Sequence, residues 1–354
     1  MKDKETIYFE LFELWTNRVK TKKYTKEAFE FERNIGAEML KQAESLASLT
    51  WKPDGYNEFK IYHPQRIINA PYYADRIAEA WITEEYLKPF VIPRVIANNM
   101  ACQSGKGSKK TMESIKKHLA EIYFQNGYDF WIFQFDMQGY YDNLNHSVIK
   151  KQLHGIDEDG FKLLCNIIDA WDGSPEISYA KQNNPDGRYG IPKGNLPSQL
   201  FGVLYLNEID HMISEMSECL YYCRYMDDGI AIFRTKSECK KVYIDIKRYL
   251  TENDMGIRMH PKKTNYFPIS TGFNFCGWHY AVKPDGKILV HIKQSKKKEM
   301  KKKIKHASVE YEKGRMPICQ VNNLMNGCMN YLSWGDTYHL RKYICKQYTF
   351  RSKR

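Results

Sequence analysis

The segment 221–233 restricts the fold of this chain more than any other stretch. Its sequence, Tyr-Tyr-Cys-Arg-Tyr-Met-Asp-Asp-Gly-Ile-Ala-Ile-Phe, places two runs of aromatic and β-branched residues on either side of Asp227-Asp228-Gly229. Such runs around Asp-Gly predict a β-hairpin, because glycine accepts the positive φ of a tight turn. Asp227 needs a further explanation, since two adjacent carboxylates between apolar strands repel each other unless cations neutralise them. A solvated turn is the simpler alternative.

The overall charge indicates the class of partner. The 354 residues contain 54 Lys and Arg against 42 Asp and Glu, a net charge of +12. Such a balance favours nucleic acid or another polyanion as partner and carries no information about the fold. The hydrophobic content of 43% supports a sizeable core, and the length is typical of about two to three domains.

The cysteines and the N-terminal segment indicate the compartment. Nine cysteines are present, and no Cys-x-x-Cys pair occurs among them. The sequence therefore predicts neither a disulfide framework nor a structural zinc site. Residues 1–5 are polar, unlike a signal peptide, and no apolar run reaches transmembrane length. We expect a cytoplasmic protein that has no membrane partner.

Hydrophobic periodicity predicts a mixed succession of helices and strands. The predicted elements are helices at 6–20, 26–47, 75–87, 161–172, within 190–213 and at 236–253, an extended segment at 56–70, a strand at 130–135 that ends in Asp136, and hairpins that turn at 184–187 and 283–286. The glycine loop 105–111 is either a plain basic loop or a contact for a nucleic-acid backbone or a triphosphate, and it lacks the complete P-loop spacing.

The segment 283–313 is strongly basic and marks a shift in composition. Met300, Ile304, Ala307 and Tyr311 form an apolar stripe at helical spacing, so the lysines cover the other faces of the predicted helix. These faces are either solvated or bind a phosphate backbone. A domain boundary is expected near residue 283.

Two widely separated aspartates follow strong strand signals. Asp136 ends one predicted strand, and Asp227 follows another. Adjacent core strands would bring their carboxylates together. Oxygen ligands without His or Cys at ligand spacing suit a hard cation such as Mg²⁺. Two such ions can activate an attacking hydroxyl and stabilise a leaving oxygen in phosphoryl transfer.

Five motifs, in this order, resemble those of reverse transcriptases over nearly the entire chain. They are Phe-Asp-Met-Gln-Gly-Tyr-Tyr-Asp at 135–142, Gly-Ile-Pro-Lys-Gly-Asn-Leu-Pro-Ser-Gln at 190–199, Tyr-Met-Asp-Asp at 225–228, His-Pro-Lys-Lys-Thr at 260–264 and Phe-Cys-Gly-Trp at 275–278.

The resemblance implies an α+β right-hand polymerase fold. We expect N-terminal helices and fingers at 1–128, an antiparallel palm at 129–282 with a fingers-like insertion around 150–190, and a basic helical thumb at 283–354.

The resemblance also assigns roles to residues at matching positions. The implied metal ligands are Asp136, Met137, Asp227 and Asp228, for two Mg²⁺ ions or alternatively Mn²⁺. Lys263 would protonate the leaving pyrophosphate, with the adjacent Lys262 as the alternative.

Further roles concern the substrate and the nucleic acid. Tyr141 matches an aromatic gate that crowds the ribose 2′-hydroxyl and favours DNA synthesis, with ordinary packing as the alternative. The other implied contacts are Lys60, Arg66, Lys193 and Gln199 for the incoming nucleotide, Phe275, Gly277 and Trp278 for the primer grip, and Lys296, Lys297, Lys301 and Lys302 for the nucleic-acid backbone.

Within the family, bacterial branches fit better than retroviral ones. Asp75-Arg76-Ile77 and the 105–108 loop resemble group II intron and diversity-generating retroelement enzymes, and Ser198-Gln199 resembles the latter. Lys193 departs from that branch, which usually has an aliphatic residue there. A phage-defence reverse transcriptase is an alternative.

The implied reaction is template-directed addition of deoxynucleotides to a primer 3′-hydroxyl. The implied partners are template RNA, a DNA primer and deoxynucleoside triphosphates, with an accessory protein or a structured non-coding RNA as a further candidate. A catalytically idle RNA-binding relative is a second alternative, against which the intact Asp136, Asp227 and Asp228 argue.

Overall fold

The computed structural model describes residues 2–19, 25–62 and 65–348. Its α-helices are α1 Lys4–Leu14, α2 Lys26–Arg33, α3 Ile35–Ala47, α4 Tyr73–Ile82, α5 Lys88–Val91, α6 Ser108–Asn126, α7 Tyr140–Asn143, α8 His146–Gln152, α9 Glu158–Asp169, α10 Tyr179–Asn183, α11 Leu196–Tyr205, α12 Asn207–Ser214, α13 Lys236–Glu252, α14 Gln294–Glu312, α15 Ile318–Ser333 and α16 Tyr338–Gln347. Its strands are β1 Tyr56–Tyr62, β2 Gln65–Pro71, β3 Trp131–Asp136, β4 Tyr221–Tyr225, β5 Asp228–Phe233, β6 Asn265–Pro268, β7 Phe273–Phe275, β8 Trp278–Val282 and β9 Ile288–Ile292. Two π-helical turns, Trp15–Val19 and Thr83–Leu87, and a 3₁₀ turn, Ile269–Thr271, complete the regular structure of these ranges.

An antiparallel four-stranded sheet in the order β4-β5-β3-β6 forms the centre of the molecule. β3 is buried on both faces because its side chains alternate between two layers. Phe133 and Phe135 pack on the helical side, with residues of α11 and α13 in the same cluster. Ile132 points to the other side, where α6 and the strands β7–β9 cover it.

A second sheet, in the order β7-β8-β9, packs on that other side. Phe275, Trp278 and Tyr280 form its buried face. The predicted turn at 283–286 connects β8 to β9, so this hairpin is confirmed. α14 follows β9 directly and buries Met300, Ile304 and Ala307, which are three members of the predicted apolar stripe.

The predicted hairpin around the 184–187 turn is wrong. Residues 179–183 form α10, whose first turn is capped by the Ser178 hydroxyl. The chain after the turn pairs elsewhere, because the Gly190 N–H donates to the Leu144 carbonyl at 2.8 Å and the His146 N–H to the Arg188 carbonyl at 3.1 Å. The segment 178–183 therefore has no strand to pair with.

The central hairpin is confirmed, but its turn lies two residues earlier than expected. Tyr225 pairs with Asp228, so Met226 and Asp227 form the two-residue turn. Met226 adopts the left-handed backbone, with φ of 58°. Gly229 lies within β5, opposite Phe135. A glycine is needed there because a Cβ would stand 2.2 Å from the Phe135 ring.

No helix in the described ranges combines the length and apolar character that a membrane span requires.

The Gly229–Phe135 contact predicts the effect of a single added methyl group. Phe135 is fully buried, so its ring has no free space to move into. We expect Gly229→Ala to reduce the free energy of unfolding by about 1–3 kcal/mol through overpacking, measured by urea denaturation. Gly327→Ala is the matched control, because a Cβ there meets nothing within 4 Å. It should stabilise helix α15 by roughly 0.5–1 kcal/mol. Equal effects of the two substitutions would contradict this account.

Candidate active site

The three aspartates predicted to act together converge at one edge of the central sheet. Asp136 is the last residue of β3, and it stands opposite Asp228 in the β3–β5 register. Asp227 lies in the adjacent turn, and its backbone carbonyl accepts the Met137 N–H at 3.1 Å. The antiparallel register therefore brings together carboxylates that lie far apart in the sequence.

The local electrostatics oppose ionisation of two of these groups. Burial raises the pKa of Asp228 to about 7, and the charges of Asp227 and Asp136 add to this effect. Burial also raises the pKa of Asp227, with a further contribution from Asp136. The folded chain thus holds more negative charge at this point than its own cations neutralise, which is the condition that favours a bound cation.

Lys263 is the nearest cation to the cluster. Its Nζ lies 2.8 Å from Asp136 Oδ2. The preceding turn is fixed to the same residue, since the His260 N–H donates to the Asp136 carbonyl at 2.7 Å. The motif at 260–264 is therefore joined to the end of β3 through both backbone and side chain.

A buried ion pair supports the turn that carries Asp227. Arg224 is fully buried and donates from Nε and Nη2 to the two carboxylate oxygens of Asp210, at 2.6 and 2.7 Å. Its Nη1 donates to the Met226 carbonyl at 2.6 Å, and its Nη2 also donates to the Val203 carbonyl at 2.6 Å. Arg224 therefore connects the turn to the helices behind the sheet.

A cleft of about 440 Å³ opens in front of the carboxylates. It contains most of the predicted catalytic and nucleotide-binding residues. Its lining comprises Arg66, Ile68, Cys102, Asp136, Met137, Gly139, Tyr140, Tyr141, Asp142, Lys193, Gly194, Asn195, Ser198, Gln199, Met226, Asp227, His260 and Lys263.

The β1–β2 hairpin brings Arg66 to this cleft and places Lys60 elsewhere. Directly paired residues of an antiparallel hairpin share a face. Arg66 pairs with Ile61, on the same face as the cleft residue Ile68. Lys60 pairs with Ile67, on the opposite face, and is exposed. The structure thus separates the two cations that the sequence grouped together.

Lys193 faces the cleft as an ion pair. Its Nζ lies 2.6 Å from Asp142 Oδ2, and both side chains are largely covered. Its carbonyl accepts the Asn69 N–H at 2.7 Å. Lys193 therefore contacts β2 through its backbone carbonyl and α7 through its side chain.

Tyr141 and Gln199 lie in the cleft on adjoining elements. The Tyr141 hydroxyl would be 3.3 Å from a Cβ placed on Gly202, so this glycine of α11 leaves room for it. Gln199 accepts from the Cys102 thiol at 3.5 Å. Cys102 has left-handed backbone, with φ of 53°, and also contacts Met226.

The predicted primer grip forms the β7–β8 hairpin. Phe275 and Trp278 are paired and buried, so they support the hairpin from within. Cys276 and Gly277 form the two-residue turn, both with positive φ. Contact with a ligand is therefore available mainly at this turn rather than at the two aromatic rings.

The predicted nucleic-acid-binding lysines occupy different faces of α14. Lys296 borders a groove between α14 and α15, whereas Lys297 borders a cavity next to β7–β9. Lys301 Nζ lies 4.5 Å from the centroid of the Tyr343 ring. Lys302 is exposed.

In the 105–111 loop, Lys106 forms hydrogen bonds with the neighbouring chain segment. Lys106 Nζ donates to the Ala97 and Asn99 carbonyls at 2.8 and 2.9 Å. Burial lowers the pKa of this group. The first lysine of the loop is thus engaged in stabilising the neighbouring chain.

The donor set at the carboxylates fits a hard divalent cation. Carboxylate and carbonyl oxygens from Asp136, Met137, Asp227 and Asp228 are the ligand types that such ions prefer. In the described part of the chain, no three His, Cys, Asp or Glu side chains already stand around a common point as a finished metal centre does. The chemistry of the site fits a metal, and its side chains would adjust on binding.

Comparison with known families decides the identity. Residues 60–280 match the family described as reverse transcriptase (RNA-dependent DNA polymerase). The chain belongs to the reverse transcriptase family. The match covers the end of β1, strand β2, the central sheet and the candidate active site, and it confirms the predicted α+β polymerase fold. It concerns the family as a whole, so placement in a bacterial branch stays a prediction.

Solved structures similar to this reverse transcriptase include three structures of telomerases from two Candida species. Apo telomerase from Candida tropicalis is 13% identical, with 67% of this chain and 48% of that chain covered and a TM-score of 0.46. Its form truncated from the C-terminal domain is 14% identical, with 63% and 52% covered and a TM-score of 0.45. Telomerase from Candida albicans, in complex with the TWJ fragment of telomeric RNA, is 14% identical, with 81% and 54% covered and a TM-score of 0.46. The chain spans about half the length of these proteins. No curated protein matches it.

The structure adds residues to the site of this reverse transcriptase that the sequence did not single out. Asp142 and His260 lie inside two of the motifs and line the cleft. Arg224 directly precedes the third motif. Cys102 precedes the basic loop and has no signal of its own, because only its left-handed backbone turns it toward the cleft.

The raised pKa of Asp228 predicts how the stability of the metal-free protein depends on pH. The folded carboxyl holds its proton more tightly than the unfolded one, so its contribution to stability is complete below about pH 4 and is lost as the pH rises to about 7. We expect Asp228→Asn to be more stable than the unchanged protein by roughly 2 kcal/mol at about pH 8, and by little at about pH 4. Thermal unfolding in EDTA measures this difference.

Addition of Mg²⁺ at about pH 8 serves as the control for that experiment. A bound cation stabilises the folded state, so it should raise the melting temperature of the unchanged protein more than that of the variant. A stability difference that does not change with pH would contradict the assignment of buried charge to Asp228.

Proposed function

We propose that this reverse transcriptase is an RNA-directed DNA polymerase that adds deoxynucleotides to a primer 3′-hydroxyl. The observation that carries the proposal is the convergence of Asp136, Asp227 and Asp228 at one sheet edge, where Asp136 and Asp227 line a 440 Å³ cleft together with further cations. Phosphoryl transfer requires little more of a protein than positioning and charge neutralisation. This cleft offers groups for both.

Asp136, Asp227, Asp228 and Met137 would hold two Mg²⁺ ions, since members of the family generally use divalent metals. When bound, the ions favour ionisation of the attacking hydroxyl and neutralise charge on the leaving group. The charge at Asp227 and Asp228, which nearby cations offset only in part, supports this assignment.

Arg66 and Lys263 are the protein cations placed to act on the triphosphate. Both line the cleft, and Arg66 is close enough to lower the pKa of Asp227 against the effect of burial. Lys263 holds Asp136 at 2.8 Å, and it would exchange this partner for the pyrophosphate, to which it donates a proton. Lys60 lies on the other face of its hairpin, where it would contact nucleic acid rather than the nucleotide.

Tyr141 would select the sugar. Its ring lines the cleft directly after Tyr140, whose hydroxyl donates to the Gly202 carbonyl at 2.7 Å. The Tyr141 hydroxyl also lies beside Gly202, where an added Cβ would stand 3.3 Å from it, so both tyrosines pack along α11. An aromatic ring held in this way would crowd a 2′-hydroxyl and favour deoxynucleotides.

We propose fingers, palm and thumb at 1–128, 129–282 and 283–354, acting on template RNA and a DNA primer. The biological role that the motifs favour is a diversity-generating retroelement, with phage defence as the alternative. Lys193 argues against the diversity-generating role, because its ion pair with Asp142 puts charged groups where enzymes of that branch have an aliphatic side chain.

Primer extension on poly-rA with oligo-dT tests the proposed activity. We expect Asp136→Asn and Asp227→Asn to reduce extension by at least about 10³-fold, because each removes a charged ligand from the reacting centre. Both variants should keep their melting temperature within a few degrees. Asp186→Asn, in the exposed 184–187 turn, is the matched control and should extend normally. Extension that survives in either active-site variant would refute the metal assignment, and inactivity of the unchanged chain would favour the idle RNA-binding relative.

The Lys193–Asp142 pair predicts opposite effects of its two members on nucleotide binding. Lys193→Gln leaves an unpaired carboxylate beside the triphosphate and should raise the KM for nucleotides. Asp142→Asn releases the lysine and should lower that KM. Each single variant should shift KM by roughly fivefold, or about 1 kcal/mol, and the double variant should lie close to the unchanged enzyme because the two charge changes cancel. Steady-state kinetics for each deoxynucleotide measures these values.

Lys181→Gln is the control for this cycle. Lys181 forms a 2.6 Å pair with Asp172 outside the cleft, so its replacement should leave the KM unchanged. An unchanged KM in both single variants, Lys193→Gln and Asp142→Asn, would show that the pair does not act on the nucleotide.

A further inference from the structure

A cavity of about 760 Å³ lies outside the candidate active site, between the β7–β9 sheet, the first turn of α14 and the start of α16. Histidines and lysines dominate its charged lining. The residues used in the following argument, which define the histidine cavity, are His279, His291, His339, Lys293, Lys297 and Asp336.

The sheet contributes two of the histidines from its outer face. Trp278 and Tyr280 point into the core, so the alternation of the strand turns His279 the other way. His291 stands directly opposite His279 in the β8–β9 register. Two imidazoles thus lie side by side on one face, and His339 reaches the same cavity from α16.

The other charged groups leave the cavity with an excess of positive charge. Lys293 and Lys297 line it at the start of α14, a helix with no side-chain cap and no acidic residue in its first turn. The one carboxylate of the defined set, Asp336, accepts the Val290 N–H at 2.7 Å and is thereby engaged by the strand. The helix terminus adds to this field and does not by itself define the site.

The hydrogen bond of His291 determines which ring nitrogen faces the cavity as a donor or an acceptor, and hence whether the cavity can bind an anion. Its Nδ1 lies 3.2 Å from the Asp336 carbonyl, which can only accept, so Nδ1 carries the proton. In the neutral ring Nε2 is then an acceptor, which disfavours an anion, and a second proton converts it to a donor. Burial and the neighbouring His291 lower the pKa of His279, so an anion would bring a proton with it.

The cavity adjoins the path of the strand that ends at the carboxylates. The Lys293 N–H donates to the Gly277 carbonyl, in the turn of the β7–β8 hairpin, at 3.1 Å. Asn274, which lines the cavity, accepts through its carbonyl from Gln134 Nε2 at 2.8 Å. Gln134 lies two residues before Asp136 on β3. A strand whose end reaches Asp136 and crosses this turn would meet the histidine cavity next.

We propose that the histidine cavity binds a backbone phosphate of the primer strand and that binding takes up protons on its histidines. The proposal rests on the proposed polymerase function, which places a primer end at the carboxylates. The cavity then acts as a grip whose strength increases as the pH falls.

The test measures the affinity of the full chain for a labelled primer–template duplex by fluorescence anisotropy, between about pH 6 and pH 8. Each proton taken up contributes at most about a tenfold gain in affinity per unit fall in pH. We expect the His279→Gln/His291→Gln double variant to lose most of the pH dependence. Lys297→Gln should weaken binding and reduce the salt slope by roughly 0.7 to 0.9. His306→Gln and Lys305→Gln, on exposed positions of α14, are the matched controls.

Four outcomes decide between the alternatives. An unchanged pH dependence in the double variant, with an unchanged melting temperature, overturns the proposal, and so does an unchanged salt slope in Lys297→Gln. Titration with inorganic phosphate alone separates the sources of the anion: a histidine-dependent response to free phosphate without one to the duplex overturns the assignment to the primer. Primer extension on the same samples isolates the proposed function, because a chain that binds with the histidine signature and does not extend refutes the polymerase and leaves the site.

Discussion

The Arg224–Asp210 pair is the interaction on which the geometry of the site depends. Both side chains are fully buried, and burying an ion pair costs several kcal/mol per ion unless every polar atom finds a partner. Here the guanidinium satisfies both carboxylate oxygens and two carbonyls, one of which belongs to Met226. Tyr222 donates to the same carboxylate at 2.7 Å. Because an alternative packing would leave a buried charge unpaired, the turn that presents Asp227 has one well-defined position.

The carboxylates at the sheet edge, unlike that of Asp210, lack enough donors and cations among the described residues to neutralise their charge. Asp210 lies in the interior with four donors around it, from Asn99, Tyr222 and Arg224, whereas Asp228 shares its surroundings with two other acids and has its pKa raised to about 7. The same chain therefore neutralises one buried aspartate completely and leaves the charge of another only partly offset, by Lys263. A fully paired cluster would be more stable and would have no affinity for a cation. The instability at Asp228 is thus the physical basis of the proposed metal site.

The parts of the fold that depend on local pattern were predictable, and those that depend on pairing partners were not. The alternation around 130–136 and 221–233 predicted β3, β4 and β5, and the register that joins Asp136 to Asp228 follows once these strands are neighbours. The exact turn was not predictable, because Gly229 has the composition of a turn residue but is required by the Phe135 ring across the strand. The 178–190 hairpin failed for the same reason, since residues 188–190 pair with 144–146. Lys60 and Arg66 share a hairpin, and only its register shows that they occupy opposite faces.

Position 193 shows how a departure from the family pattern can leave the architecture unchanged. Strand β2 is attached to the segment that contains Lys193 through a backbone hydrogen bond, in which the Lys193 carbonyl accepts the Asn69 N–H at 2.7 Å. Any residue type at position 193 supplies that carbonyl. The side chain makes a separate bond, to Asp142 on α7. A substitution at position 193 can therefore change the charge in the cleft without releasing the β1–β2 hairpin that carries Arg66. Since Asp142 directly follows Tyr141, the side chain at 193 contacts the element that carries the proposed sugar gate, and we therefore expect a substitution there to alter nucleotide selection more than folding.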